Sequence, residues 1–233
     1  HIYRLPVFAI PTHRPCLRET LGSEYFLTAE QKRNAIAEVV AEAHARRQPV
    51  LIGTRSVAES ELLAHHLEAR ELPCRVLNAS RHRHEAAIVA EAGYRGSITI
   101  ATNMAGRGTD IKLSRNVDSL GGLLVIISEL HTSSRIDRQL AGRCARQGEP
   151  GQVRQFASFE DDLARRFIPK WAQTLGRSTL ASRFIFSKWL ISHLFQWAQH
   201  RAKSQAFRER KQVPQRDEWL SESLAFAGKD SGN

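Results

Sequence analysis

No stretch of this 233-residue chain reaches about 18 uninterrupted apolar residues, the least a membrane-spanning helix needs, because Lys188 and His193 break the best candidate. Nothing at the start resembles a signal peptide, so a soluble, unexported chain is expected. Cysteine is scarce: Cys16, Cys74 and Cys144 are odd in number, widely separated and without a C-x-x-C pair. That argues against a disulfide framework and a zinc site and fits a reducing cytosol. There is no H-E-x-x-H, and His82 and His84, two apart, would diverge on a helix, so metal catalysis is not expected. No Ser or Cys nucleophile has a recognisable partner arrangement. The phosphate-cradling G-x-x-x-x-G-K-[S/T] is missing too. The chain begins at His1 without an initiator methionine, which suggests a segment of a longer protein.

Acids are also few relative to bases, and the net charge of +10 predicts attraction to something anionic: nucleotide phosphate, nucleic acid or acidic lipid. Much of the excess falls late, in residues such as Arg201, Lys203, Arg208 and Lys211. Solvated helix faces would account for it equally well.

The length is enough to bury a core. After an extended opening (Tyr3 to Ile10) and a Pro-rich turn region around Pro11 and Pro15, Thr28 and Gln31 form a capping box. Ile36, Val39, Val40 and Ala43 then recur at helical spacing, which predicts a helix to about Arg47. Val50-Leu-Ile52 reads as a strand buried on both faces, and Ser56 with Glu59 caps a helix to about Arg70. Strands are predicted at Cys74–Leu77, Ser97–Ala101, Leu123–Ile127 and Val153–Ser158, with helices at His84–Ala92 and Ser133–Cys144. This alternation implies an α/β, RecA-like lobe: a mostly parallel sheet with helices on both faces, whose ligand sits at the carboxyl ends of the strands. From Ser158, read as a cap with Asp161 and Asp162 in a structural first turn, the pattern turns helical. Phe184 to Gln212 reads as one long helix with an apolar face, including Trp189, Phe195 and Trp197, that needs a cover. The expected divisions are an opening segment (1–28), the lobe (29–160), a helical extension (161–227) and a polar tail (228–233).

Two constellations could carry chemistry. In the first, a strand runs into Gly106-Arg107-Gly108 with Asp110 just beyond. Glycines let the backbone approach a ligand, and Arg107 offers a planar fork for phosphate; a plain tight turn with a surface arginine is the alternative. In the second, Gln139, Gly142, Arg143 and Arg146 share a predicted helix, with 139, 143 and 146 on one face and Gly142 allowing close packing. That pairing of arginines suits a polyphosphate, or else is a pair of surface ion-pairing residues.

Ala101-Thr-Asn-Met-Ala-Gly-Arg-Gly-Thr-Asp-Ile111 and Arg135-Ile-Asp-Arg-Gln-Leu-Ala-Gly-Arg-Cys-Ala-Arg-Gln-Gly-Glu-Pro-Gly151 resemble the fifth and sixth helicase-type motifs of the SecA preprotein translocase ATPases. Helicases in general share only Gln139, Gly142, Arg143 and Arg146. The flanking Arg135-Ile-Asp137, Gln147-Gly-x-Pro-Gly151 and the Met104 run are more specific. The resemblance extends to Ile10-Pro-Thr-x-Arg-Pro15, Gln48-Pro-Val-Leu-Ile-Gly-Thr54, Val76-Leu-Asn-Ala79, His131 and Ser158-Phe-Glu-Asp-Asp-Leu163. It implies the second motor lobe of a protein that couples ATP hydrolysis to moving unfolded preprotein through a membrane channel. ATP with Mg would lie between two lobes, held mainly by a first lobe that this chain lacks, so the chain alone would be inactive. Arg143 and Arg146 would reach the β/γ-phosphates, while Gly106, Arg107, Gly108, Asp110 and Gln139 would line and couple the same cleft. The implied partners are the first lobe, the channel, the preprotein and acidic phospholipid, at a cytoplasmic location peripheral to the inner membrane; nucleic acid is not expected.

Ala141 and Ala145 stand where SecA usually has arginine and glycine, and Leu130 where it usually has a basic residue. Lys112 to Gly122 and the segment after Leu163 differ as well, which points to a divergent SecA-like protein. The rival reading is a helicase lobe, but helicase channels stack bases on aromatics, and here the aromatics gather in the late helix. A binding module that has lost its chemistry is a third reading, which the presence of Arg143 and Arg146 opposes.

Overall fold

The structure, a computed structural model, describes residues 8, 10–77, 89–102, 110–181 and 187–227, with backbone alone at 181, 187 and 210–227. Its strands are β1 (Leu17–Phe26), β2 (Val50–Thr54), β3 (Arg75–Leu77), β4 (Ile98–Thr102), β5 (Leu123–Ile127) and β6 (Pro150–Ser158). Its helices are α1 (Ala29–Ala45), α2 (Val57–Glu68), α3 (Ser134–Ala141), α4 (Asp162–Phe167), α5 (Lys170–Ala181) and α6 (Ser187–Ala227). The strands form one sheet in the order β1-β6-β5-β2-β4-β3, and every described pairing is parallel. Contacts divide the chain into two compact units, residues 1–130 with 135–159, and 131–134 with 160–233.

In the first unit the capping signals work as the sequence implies. Thr28 Oγ1 accepts from the Gln31 N–H at 3.2 Å and Ser56 Oγ from the Glu59 N–H at 3.1 Å, each satisfying an orphan donor of a first turn. Every residue of β2, β4 and β5 is buried, and alternate positions feed two cores. Val50, Ile52, Ile98, Ile100, Leu124 and Ile126 pack under α1 and α2 through Ile36, Val40, Leu63 and Leu67. Leu51, Leu123, Val125, Ile127 and Val153 face the other way, onto Leu140, Ala141 and Cys144. A helix layer therefore covers each face, the arrangement a parallel sheet requires. At Gly53 a methyl group would run into Leu140, so this glycine lets α3 lie close on the sheet.

Several boundaries differ from those the sequence suggests. β1, for which the sequence gives no strand signal, is the sheet edge beside β6, with its register shifted around Gly22 at φ 95°. Its polar side chains pair across strands: Arg154 Nη2 lies 2.5 Å from Glu24 Oε1, and Ser23 Oγ donates to Gln155 Oε1 at 2.9 Å. Ser158 is not a helix cap. It still pairs with Phe26 at the end of β6, and Asp161 occupies the N-cap position of α4. Most of the expected helix at 84–92 lies outside the described residues.

In the second unit, α4 and α5 pack on α6. Ile191, Phe195, Ala198 and Ala202 are buried at helical spacing, whereas Trp189 and Trp197 remain 63% and 43% exposed, so α6 covers one apolar stripe and presents another. Gln173 Nε2 donates to Ala164 O and Ile168 O, satisfying carbonyls at the end of α4. The helix also continues past Gln212, through Pro214, to Ala227. A prolyl residue removes one donor, and helix-forming neighbours on both sides carry the run across it.

Gly122, just before β5, has φ 73°, and a methyl group there would collide with the Pro150 carbonyl. Gly122→Ala is expected to destabilise the chain by roughly 2–4 kcal/mol, from strain plus overpacking. Gly22→Ala, with open space around it, should lose only about 1 kcal/mol. Denaturant midpoints of the two variants compare these costs, and equal losses would show that the Pro150 contact does not matter.

Candidate functional site

α3 starts beyond the carboxyl end of β5 and runs back across the sheet, so its last turn arrives at the amino end of β6. The predicted helix to Cys144 stops at Ala141. The Gly142 N–H still donates to Arg138 O at 2.8 Å, but the Arg143 N–H tightens onto Leu140 O at 2.9 Å. Ala145, Gln147 and Gly148 then adopt φ of 54°, 53° and 83°. Left-handed backbone costs a non-glycine residue about 1–2 kcal/mol, and it keeps the chain from resuming a helix here. A Cβ on Gly151 would sit 2.6 Å from Ala145 N and 2.7 Å from Cys144 Cβ, so glycine there lets the start of β6 pass close to this turn. At Gly142 the nearest groups to a built Cβ are Arg138 O and Gln139 O, at 3.1 and 3.4 Å. This glycine serves the exit from the helix, not packing against a neighbouring element as the sequence implied.

Arg143 and Arg146 are therefore loop residues, and Gln139 stays behind, exposed on α3. Arg146 is held at two points. Its Nε donates to Gly142 O at 2.9 Å, and its Nη1 lies 2.6 Å from Asp110 Oδ1. Both side chains of that ion pair are partly exposed, 37% and 41%. Arg143 is half-buried. Burial first, and the Arg146 charge second, lower its proton affinity, while Asp110 pulls the other way. A guanidinium nevertheless stays cationic at neutral pH. Glu149, next along, has its carboxyl raised above the usual range by burial, then by Asp118 and Asp110. The result is a pair of neighbouring guanidinium groups with one carboxylate between them, which an anion with several oxygens would complement.

A cavity of about 680 Å³ opens beside this pair, lined by residues that include Arg14, Cys16, Arg18, Asp110, Arg146 and Gln147. Because Leu17 is in register with Pro150, it lies at the amino ends of β1 and β6. The Arg143 and Arg146 constellation, expected at the carboxyl end of a strand, thus lies by the amino ends of β1 and β6. Asp110 lines the cavity at the head of the described residues 110–122, which lead into the start of β5. The structure thus brings Asp110, Arg143 and Arg146 together, and Gln139 is not among the residues that line the cavity. Gly106, Arg107 and Gly108 lie outside the described residues. At the carboxyl ends of β2 and β5 a different cluster occurs, in which the fully buried Lys32 and the partly exposed Arg55 approach Glu129 at 3.9 and 3.7 Å.

Sequence reasoning missed Arg14 and Arg18 as lining residues. Arg14 occurs in the Pro-Thr-x-Arg-Pro run, but its contact is made 133 positions away, which no local spacing reveals. Among the described residues, no three or more His, Cys, Asp and Glu side chains gather where they could hold a metal ion, and no helix is long and apolar enough to cross a membrane.

A parallel sheet in this order, sandwiched by helices, defines a RecA-like α/β fold. The chain is similar in structure to the E. coli DEAD-box protein SrmB solved with the regulator of ribonuclease activity A, with a TM-score of 0.52 at 17% identity over 65% of this chain and 83% of that one. At that identity the likeness concerns the fold alone. The chain itself belongs to the SecA family, since the family model described as the SecA P-loop domain matches residues 15–120 and 114–180. It is 46% identical to protein translocase subunit SecA 3 of Magnetococcus marinus over 97% of its own length, and 54% identical to SecA 2 of Rhodopirellula baltica over 70%. The chain spans 35% and 25% of those two relatives.

Ala145 occupies a left-handed position that glycine adopts without penalty. Ala145→Gly is expected to stabilise the chain by about 1 kcal/mol, raising the melting temperature by roughly 2–4 °C. A melting scan that showed no rise would mean that the loop carries no strain at this position.

Proposed function

We propose that this chain is the second motor lobe of an ATPase that couples ATP binding and hydrolysis to the movement of preproteins across a membrane. The observation that carries this reading is the placement of Arg146, lining a cavity on an exposed carboxylate beside the half-buried Arg143. An arginine held this way can exchange Asp110 for a phosphate delivered by another lobe, because exposed ion pairs are worth only about 0–1 kcal/mol. In this reading Arg143 and Arg146 reach the β/γ-phosphates, and Asp110 and Gln139, with Gly106, Arg107 and Gly108, belong to the cleft and its coupling. The phosphate loop and the residues that hold the magnesium ion of ATP would belong to a first lobe, so this chain alone does not hydrolyse ATP. Its partners are that lobe, a protein-conducting channel, the unfolded preprotein and acidic phospholipid, and it works on the cytoplasmic side of the inner membrane.

A helicase lobe is the second reading, favoured only by the fold it shares with DEAD-box proteins. Against it, no Phe, Tyr or Trp is among the described residues that line the arginine cavity, where a single strand could stack.

The test is ATP turnover by the full-length protein carrying this chain, with membranes bearing an unfolded secretory substrate and, separately, with RNA or DNA. Stimulation by the secretory substrate is expected; stimulation by nucleic acid instead would move the protein to the helicases. Arg146→Ala should reduce turnover by roughly 10³- to 10⁵-fold, as loss of an arginine finger does, and leave the lobe folded by circular dichroism. Full activity in that variant would overturn the assignment.

A further inference from the structure

Arg14 joins two segments that the sequence separates by 133 positions. Its Nη1 donates to Gln147 O at 3.0 Å, and its stem lies along Gly148, where an added Cβ would meet Arg14 Cδ at 3.0 Å. The Thr12 hydroxyl donates to Arg14 O at 2.8 Å and fixes the local turn between Pro11 and Pro15. On the other side, Gln147 follows Arg146 directly, and both flanks of Arg146 have left-handed backbone, Ala145 at 54° and Gln147 at 53°. A loop of such conformation persists only where its surroundings over-determine it. The Glu149 N–H to Arg146 O bond closes it from within at 2.9 Å. The Arg14 bond fixes it from outside, at the peptide next to Arg146.

We propose that Arg14 is a positioning residue for Arg146. It anchors the carbonyl of Gln147 so that the Arg146 guanidinium is held against Asp110 at the cavity and not displaced along the loop. The role rests on the proposed phosphate-facing function of Arg146. Arg14 is itself exposed, and its bond to Gln147 is to a neutral carbonyl. Its loss should therefore cost little global stability and be felt in geometry, where a displacement of about 1 Å can lower a rate by roughly 10²-fold.

The experiment compares Arg14→Ala, Arg14→Lys, Arg146→Ala and the double variant Arg14→Ala/Arg146→Ala in the full-length ATPase. Arg14→Ala is expected to lower kcat by about ten- to a hundredfold with KM for ATP nearly unchanged, and Arg14→Lys to recover part of the loss. The double variant should be no worse than Arg146→Ala alone, since the two residues act as one unit. Hydrogen exchange on this chain gives a second readout: amides of residues 143–149 should open faster in Arg14→Ala while the α1 and α2 amides do not change. A wild-type kcat in Arg14→Ala beside an inactive Arg146→Ala, or losses that multiply in the double variant, would overturn the positioning role and leave the finger intact. A fall in melting temperature with KM and kcat worsening together would make Arg14 a structural tie only, which also overturns it. Wild-type turnover in Arg146→Ala removes the finger reading, and the positioning role with it.

Discussion

The connection from α3 to β6 governs the site. Residues 142–149 must turn the chain at the amino end of the sheet while Cys144, with the preceding Leu140 and Ala141, stays buried against the sheet. Gly151 permits the closest approach, and Ala145, Gln147 and Gly148 supply the left-handed backbone that completes the turn. Each non-glycine residue so placed costs about 1–2 kcal/mol, comparable to what burying one aliphatic side chain contributes. The packing of α3 on β5 and β6 therefore sustains the strain, and the strained loop directs Arg146 off the helix axis toward Asp110. Strain of this kind concentrates at functional sites because a relaxed loop would not hold a charged side chain in one place.

The central sheet was legible because its signals are local. β2, β4 and β5 are short apolar runs bounded by turn residues, and Thr28 and Ser56 mark helix starts that the hydroxyl bonds realise. β1 was not legible, because an edge strand need not alternate. Much of its outward face is polar, and it is held by ladder bonds to β6, by Glu24 with Arg154, and by stacking of Phe26 on Phe156 at 6.1 Å. The pairs that make it a strand lie some 130 positions apart. Likewise the sequence identified Arg143 and Arg146 as residue types suited to phosphate but put them at the carboxyl ends of the strands, whereas Arg146 lines the cavity at the amino ends of β1 and β6. A helix that follows a parallel strand runs back along it, so residues in its last turn belong to the amino end. Helix direction, more than motif spacing, decides where such a motif acts.

The second unit presents a different balance. On α6 the buried residues Ile191, Phe195, Ala198 and Ala202 satisfy one stripe, and local contacts moderate the other. Trp189 stacks against His193 at 4.2 Å between ring centroids, and the Arg201 guanidinium lies 4.8 Å over the Trp197 ring. These contacts, i to i+4 along one helix, reduce the penalty of exposure without removing it. The surplus of positive charge read from the sequence is thus partly engaged with aromatic faces, which weakens any inference from net charge to a specific anionic partner.

The electrostatics of the arginine pair favour a site that is ordered before a ligand arrives yet easily opened. Arg143 is the harder charge to keep, because burial and its like-charged neighbour both work against it. Asp110 offsets that cost, and in doing so it gives Arg146 an acceptor at 2.6 Å. Were the pair deeply buried, removing Asp110 from Arg146 would leave an uncompensated charge and oppose exchange. At around 40% exposure on both sides water can compensate, so a phosphate offering charge-assisted bonds competes on favourable terms. Under the proposed function, the partial exposure of this ion pair is what allows one arginine to be both positioned in the resting lobe and available to the nucleotide.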